Sequence, residues 1–420
     1  MLNIPIMKIN SSKEALPRRI INKVNWLFWQ NFDLLYKLYI RYRANKIRKK
    51  DQIKVLFILA ELSAWKTESL YRTMLNHPRF SPILGITTSI EVPGSKKQLI
   101  AYINTRGYEF VDLDSSKRAI NQIGPDILFY YKPYDGSYPS EHIFKRHLSA
   151  LCCFVNYAFT TMRNTQYVSF QICNYSWFVF AENQMVAQCK RAHLGWRANN
   201  VRVTGIPMQD QLILPQASYP DPWIGLRDKK RIIYAPHHTL KGTNGSGTEY
   251  ATFLDFGEFM LELANKYRDK IQFAFKPHPT LYPKLLKIWG KARTDAYYAA
   301  WTDGPNTQHV QGEYVGLFMH SDAMIHDCGS FQVEYLYTKK PVMFIDAADY
   351  TVADQNEFGR QAHQMHYIGH SKDDIEQFIL NVISEIDPMK VLRDRFYAEQ
   401  LLPPHGKTAS ENIISTILTD

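Results

Sequence analysis

Short apolar runs recur along the chain, and the stretches between them have helical length. From Lys54 to Ala60 onward, strands are predicted at Ile83 to Thr87, Glu109 to Leu113, Asp126 to Tyr131, Cys153 to Tyr157, Trp177 to Ala181 and Val201 to Thr204. A second series is predicted at Arg231 to Ala235, Gln272 to Phe275, Ala323 to Ile325, Val342 to Ile345 and His366 to Ile368. Helical patterns span Phe253 to Tyr267, Leu281 to Trp289, Asp373 to Ile386 and Pro388 to Glu399. Strands alternating with helices predict an α/β chain with mostly parallel, doubly wound sheets. The proline- and serine-rich segment Pro215 to Pro222 divides the two series as a linker. The expectation is two Rossmann-like domains facing across a cleft, residues 53–214 and 215–400, with a closing segment at 401–420. In such sheets functional groups gather at the carboxyl ends of the strands.

Ahead of the first strand the pattern changes. Ile20, Val24, Leu27, Phe28, Leu35, Leu38, Tyr39 and Tyr42 fall at helical spacing, flanked by Arg19, Lys23, Lys37 and Arg41, with Trp26 and Trp29 beside them. Charge strengthens this picture. The chain carries a net charge of +10, and residues 1–50 hold twelve Lys or Arg against Glu14 and Asp33, so the remaining residues balance. A basic amphipathic arm over residues 1–52 is therefore predicted to lie on an anionic membrane surface. A helix packed on the first domain with a solvated basic face is the alternative. A nucleic-acid partner is disfavoured, because the neutral body offers no groove to continue the contact. There is no secretory pattern at Met1 to Glu14 and no run of 18 apolar residues, so a cytoplasmic, peripheral location is expected. The five cysteines are odd in number and lack CxxC spacing, which fits a reducing compartment without disulfides or a zinc site.

Three polar clusters sit at predicted strand ends. Tyr234 to Thr239 (YAPHHT) places His237 and His238 after the first strand of the second domain, where imidazoles can grip a pyrophosphate or a developing oxyanion. The small-residue loop Lys241 to Thr248 that follows is better explained as a mobile surface loop. Lys276-Pro277-His278-Pro279 ends the next strand, and its prolines fix the backbone on both sides of His278. A fixed imidazole there can stabilise a leaving phosphate, or it can be an exposed histidine in a proline turn. Ser321 to Ile345 predicts strand, tight turn, helix, strand, with Asp327, Gly329, Ser330 and Glu334 at the turn. Gly329 would let a ligand approach the backbone, the helix start would meet phosphate, and a carboxylate would hold ribose hydroxyls. An ordinary capped connection, with Glu334 favouring the helix dipole, is the plain alternative. His237, His238, His278, His326 and Asp327 lack metal-ligand spacing, so neither a metal nor a cofactor is expected.

Together YAPHHT, KPHP and SDAMIHDCGSFQVEYLYTKKPV resemble the CDP-glycerol glycerophosphotransferase family, the teichoic-acid-type glycerol and ribitol phosphate transferases with a two-lobed GT-B fold. Asp327 and Ser330 match the family pattern, Glu334 stands for its later aspartate, and Cys328 and Gly329 replace a tyrosine and a serine. The resemblance implies that Lys276, His278, Asp327, Gly329, Ser330 and Glu334 hold a nucleotide diphosphate donor, CDP-glycerol or a nucleotide sugar. It also implies an acceptor that is lipid-linked or a glycan. The family's Trp-His-Gly stretch, whose histidine serves as acceptor base, has no counterpart at Phe154 to Phe159. Glu61 after the first strand, or Asp135, is the expected substitute. These departures keep a nucleotide-sugar glycosyltransferase, a nucleotide-sugar 2-epimerase and a catalytically silent binding protein open as alternatives.

Overall fold

The computed structural model describes residues 34–163, 171–225, 227–241, 249–346 and 354–420, apart from the side chains of Asp135, Trp196 and Arg197. Two units emerge, residues 1–51 and 52–420. In the first, residues 34–48 are helical. Leu34, Leu35, Leu38, Tyr39 and Tyr42 follow one face of that helix and are all exposed. The rest of the predicted amphipathic helix, residues 18–33, lies outside the described residues.

The second unit holds two parallel sheets. In the first lobe, β1 (Ile53–Leu59), β2 (Phe80–Ile86), β3 (Phe110–Asp112), β4 (Ile127–Tyr130), β5 (Leu151–Val155), β6 (Phe178–Ala181) and β7 (Val201–Val203) take the order β3-β2-β1-β4-β5-β6-β7. In the second, β8 (Lys230–Ala235), β9 (Ile271–Phe275), β10 (Thr307–His309), β11 (Ala323–His326), β12 (Val342–Ile345) and β13 (Tyr367–Gly369) take the order β10-β9-β8-β11-β12-β13. This is the expected GT-B-like pair of doubly wound sheets. Its cause is visible in β1, β9 and β11, whose residues are buried almost throughout because helices cover both faces. The strand order reverses its outward progress between β1 and β4 and again between β8 and β11, and each reversal opens a crevice at the strand ends.

The second lobe's core is aromatic. Trp301 is fully buried and stacks on Phe275 at 4.9 Å, with Phe273 edge-on to it. Trp301→Ala would leave a cavity costing about 3–5 kcal/mol. Trp301 belongs to a helix, Leu281–Asp303, that turns sharply at Gly290 (φ 75°). The apolar pattern predicts only its first half, since the glycine interrupts the periodicity. The edge strand β10 was not foreseen either, being three residues long and polar (Thr-Gln-His).

The chain crosses between the lobes more than once. The helix Ala409–Thr419 returns to the first lobe, where Asp210 accepts hydrogen bonds from the backbone N–H of Ala409 (2.6 Å) and Ser410 (3.0 Å). Residues 401–420, expected as a closing segment, pack in part on the first lobe through this helix. A second tie joins Asn356 N–H to the Thr161 carbonyl (2.8 Å) and Arg163 N–H to that of Asp354 (2.7 Å). No helix among the described residues is long and apolar enough to cross a membrane.

Candidate functional site

The second lobe's crevice collects all three sequence clusters. His237 and His238 follow β8, Lys276 to His278 follow β9, and Asp327 to Ser330 follow β11. The histidine rings converge, with centroids 4.3 Å apart for His237 and His238, 4.1 Å for His238 and His278, and 5.0 Å for His237 and His278. Tyr250 stacks on His237 at 5.1 Å. Burial holds the three imidazoles neutral at ordinary pH. His237 is pushed down to about 2 by burial, then by His238 and His278. His238 is pushed to about 4 by burial and Lys284, and His278 to about 3 by burial, His238 and Lys276.

His278 is held by hydrogen bonds at its backbone and its ring. Its backbone N–H donates to the Pro236 carbonyl (3.0 Å), and its Nδ1 accepts from the Thr280 N–H at 3.2 Å. Accepting at Nδ1 places the ring proton on Nε2, a tautomer assigned from the hydrogen-bond network. Such a ring offers an N–H to an anion's oxygen. The three histidines do bring ligand nitrogens within 4.8 Å of one another, a grouping their sequence spacing does not reveal. For His278, however, ligating a cation through Nε2 would require giving up the Thr280 N–H bond.

Lys276 supplies the positive charge. It is buried, with 7% of its surface exposed, and its ammonium has no hydrogen-bond or ion-pair partner among the described residues. Burial lowers its proton affinity, Lys66 lowers it further, and Cys328 and Glu313 act in the opposite direction. A buried cation without a counter-ion is unfavourable unless something supplies the anion.

The turn after β11 departs from expectation. The helix Phe331–Glu334 has four residues before it tightens into Tyr335–Thr338, and Ser330 is already helical without capping it. Ser330 is exposed, its Oγ 3.2 Å from Cys328 Sγ, and burial pushes the Cys328 thiol up to about 11. A helix this short gives no strong terminal dipole for phosphate. The turn is open at Gly329, where an added Cβ would meet Tyr250 Oη at 3.7 Å. Glu334 is buried and accepts the Tyr314 hydroxyl; burial raises its carboxyl, opposed by Lys66 and Tyr314.

Two expected residues serve the fold instead. Asp327 accepts from the N–H of His237 (2.5 Å) and from the N–H and hydroxyl of Thr252 (2.7 and 2.9 Å), so both carboxylate oxygens are spent on placing the histidine loop. Glu61 is buried in the first lobe, where its Oε1 accepts from Lys132 Nζ (2.6 Å) and Ser89 Oγ (2.5 Å). A carboxylate so engaged is a support rather than an open base. His326 points elsewhere, against His366 and Phe344. The loop 242–248 and the side chain of Asp135 lie outside the described residues. Sequence reasoning did not single out Tyr314, Thr280 or Lys284, because nothing in their sequence neighbourhood marks a site.

The family model for CDP-Glycerol:Poly(glycerophosphate) glycerophosphotransferase matches residues 155–369, just over half of the chain and the whole of this crevice. The chain belongs to this family. It is accordingly a transferase. Among solved structures, a variant of the wall teichoic acid polymerase TagF is similar at 15% identity and a TM-score of 0.58, covering 95% of this chain and 96% of that one. A TagF variant soaked with CDPG gives 15% identity, 0.58, 96% and 98%. The UDP-GlcNAc 2-epimerase of Neisseria meningitidis bound to UDP-GlcNAc gives 16% identity, 0.58, 88% and 100%. At these identities the likeness is one of fold. No curated protein sequence matches the chain.

Proposed function

We propose that the protein transfers a glycerol phosphate, or a related polyol phosphate, from a CDP-linked donor to a hydroxyl of a lipid-linked or glycan acceptor, building a teichoic-acid-like surface polymer. The observation that carries this reading is Lys276, a largely buried side chain whose ammonium has no ion-pair partner among the described residues, beside the neutral imidazole of His278 and the open turn at Gly329. An anionic diphosphate satisfies all three. The acceptor oxygen attacks the β-phosphorus, a new P–O bond forms, and the bond to the α-phosphate oxygen breaks. Cytidine monophosphate leaves, and the hydroxyl proton passes to a base or to water. Lys276 and the His278 N–H stabilise the charge that develops on the leaving phosphate.

Incubation with CDP-glycerol, CDP-ribitol and a panel of nucleotide sugars tests this by product. Release of nucleoside monophosphate from a CDP-polyol supports it. Release of nucleoside diphosphate instead supports glycosyl transfer, the second reading, which Cys328, Gly329 and the absence of a histidine at Phe154 to Phe159 favour. Neither turnover nor nucleotide binding would mark a silent component of an assembly complex.

Membrane attachment at the inner face of the cell membrane completes the proposal. The exposed stripe Leu34, Leu35, Leu38, Tyr39 and Tyr42 with Lys37 and Arg41 on the same helix supports it. The triple variant Leu35→Glu, Leu38→Glu and Tyr42→Glu should stop sedimenting with phosphatidylglycerol vesicles; unchanged sedimentation would remove the membrane claim.

A further inference from the structure

The donor crevice as built so far belongs wholly to the second lobe, yet one side chain of the first lobe reaches its edge. Lys66 follows β1, and its Nζ lies 3.0 Å from Tyr314 Oη and 4.8 Å from the centroid of that ring. The same hydroxyl donates to Glu334. Burial raises the Tyr314 phenol well above its ordinary range, so it is neutral. The Lys66 ammonium is half-buried and hydrogen-bonds this neutral phenol; no carboxylate lies within ion-pair distance of it among the described residues. Close by stands Lys276, whose own ammonium has no partner and which feels the Lys66 charge.

Two ammonium groups thus approach from opposite lobes, and neither forms an ion pair among the described residues; Glu334 and Glu313 act on them only from beyond ion-pair distance. In a partly desolvated crevice that repulsion is a standing cost. A phosphate entering beside Lys276 would remove it for both groups. Tyr314 holds Lys66 close to where it is needed, through a bond to a neutral group that is exchanged more readily than an ion pair.

We propose that Lys66 is a donor-binding residue that moves from the Tyr314 hydroxyl to a phosphate oxygen of the bound nucleoside diphosphate, so that the donor itself bridges the two lobes. The inference rests on the donor reading above. Tyr314 keeps its bond to Glu334, and the cation changes partner from phenol to phosphate. A merely structural Lys66 would fix Tyr314 and nothing else, and the two roles differ in what they recognise.

Calorimetric binding of CDP and of cytidine to the full chain separates them. Lys66→Met should weaken CDP by about tenfold or more, as expected for a lost charge-assisted hydrogen bond, and leave cytidine within about twofold. The variant should also flatten the salt dependence of CDP binding. Lys66→Arg should recover most of the loss. Lys66→Gln, which retains a hydrogen-bonding group without the charge, gives the same comparison if the methionine variant does not fold. Wild-type affinity for CDP in these variants overturns the proposal, as does an equal loss for CDP and cytidine. If Lys276→Met abolishes CDP binding while Lys66→Met does not, the donor reading stands and the role of Lys66 falls. If the wild type binds neither CDP nor UDP, both fall together.

Discussion

The two lobes have the same sheet order around their reversals and opposite polar contents in the crevices there. In the first, the buried Lys132 ammonium lies 2.6 Å from Glu61 and 2.6 Å from Glu91, Ser89 and Ser137 donate to those carboxylates, and the crevice is closed by its own charges. In the second, Lys276 is buried to the same degree and has no such partner, and three neutral imidazoles line the crevice near it. Topology nominates both crevices. The charge left unanswered distinguishes them, because a satisfied network holds a fold while an unsatisfied one is completed by a ligand.

The largest effects should come from exchanging the two lysines' environments for apolar ones. Lys276→Met is expected to lower kcat/KM for the donor by about two orders of magnitude or more while leaving stability unchanged or raised, since a desolvated unpaired charge is removed. Lys132→Met should do the reverse in denaturant titration, costing about 3–5 kcal/mol, because Glu61 would stay buried without its cation. If Lys276→Met unfolds the protein and Lys132→Met does not, the contrast drawn between the crevices is wrong. His278→Ala belongs with Lys276→Met: turnover should fall about a hundredfold, with a far smaller loss of stability. An unaffected rate would reject its role at the phosphate.

A smaller effect concerns pH. The native histidines of the second crevice titrate well below their ordinary 6.5, so between pH 6.5 and about 4 the unfolded chain binds more protons than the folded one. Stability should therefore fall as pH is lowered through that window, and His238→Gln should lessen the slope. A bound diphosphate reverses the local logic, because its charge favours imidazolium. Donor binding should then take up protons and tighten toward pH 6, which calorimetry in buffers of different ionisation enthalpy would detect. Binding without proton exchange would place the phosphates away from these rings.

Much of this was legible in the sequence. Buried parallel strands are nearly continuous apolar runs, so twelve of the thirteen strands among the described residues announced themselves, whereas β10 is too short and polar to do so. The clusters at His237, Lys276 and Gly329 were legible because chemistry concentrates where such strands end. What remained hidden depended on partners distant in sequence. Asp327 carries the family's motif yet is consumed by His237 and Thr252, and Glu61 looked open until Lys132, 71 residues away, closed over it. Lys66 and Tyr314 meet across 248 positions, a distance no local pattern spans.

The finest test of the contrast is Gly329→Ala. Gly329 does not have the positive φ that excludes other residues, and a methyl group there meets only Tyr250 Oη at ordinary contact distance. Stability should accordingly change by less than about 0.5 kcal/mol, or rise slightly as the unfolded chain loses freedom. In a crevice that only holds the fold together, the substitution would then have no effect. In one shaped for a ligand pressed against the turn, the same methyl group occupies the ligand's space, and KM for the donor should rise by about fivefold while kcat changes little. A variant with unaltered KM would show that the donor does not rest on Gly329, and would shift the binding surface toward Lys276 and the histidines.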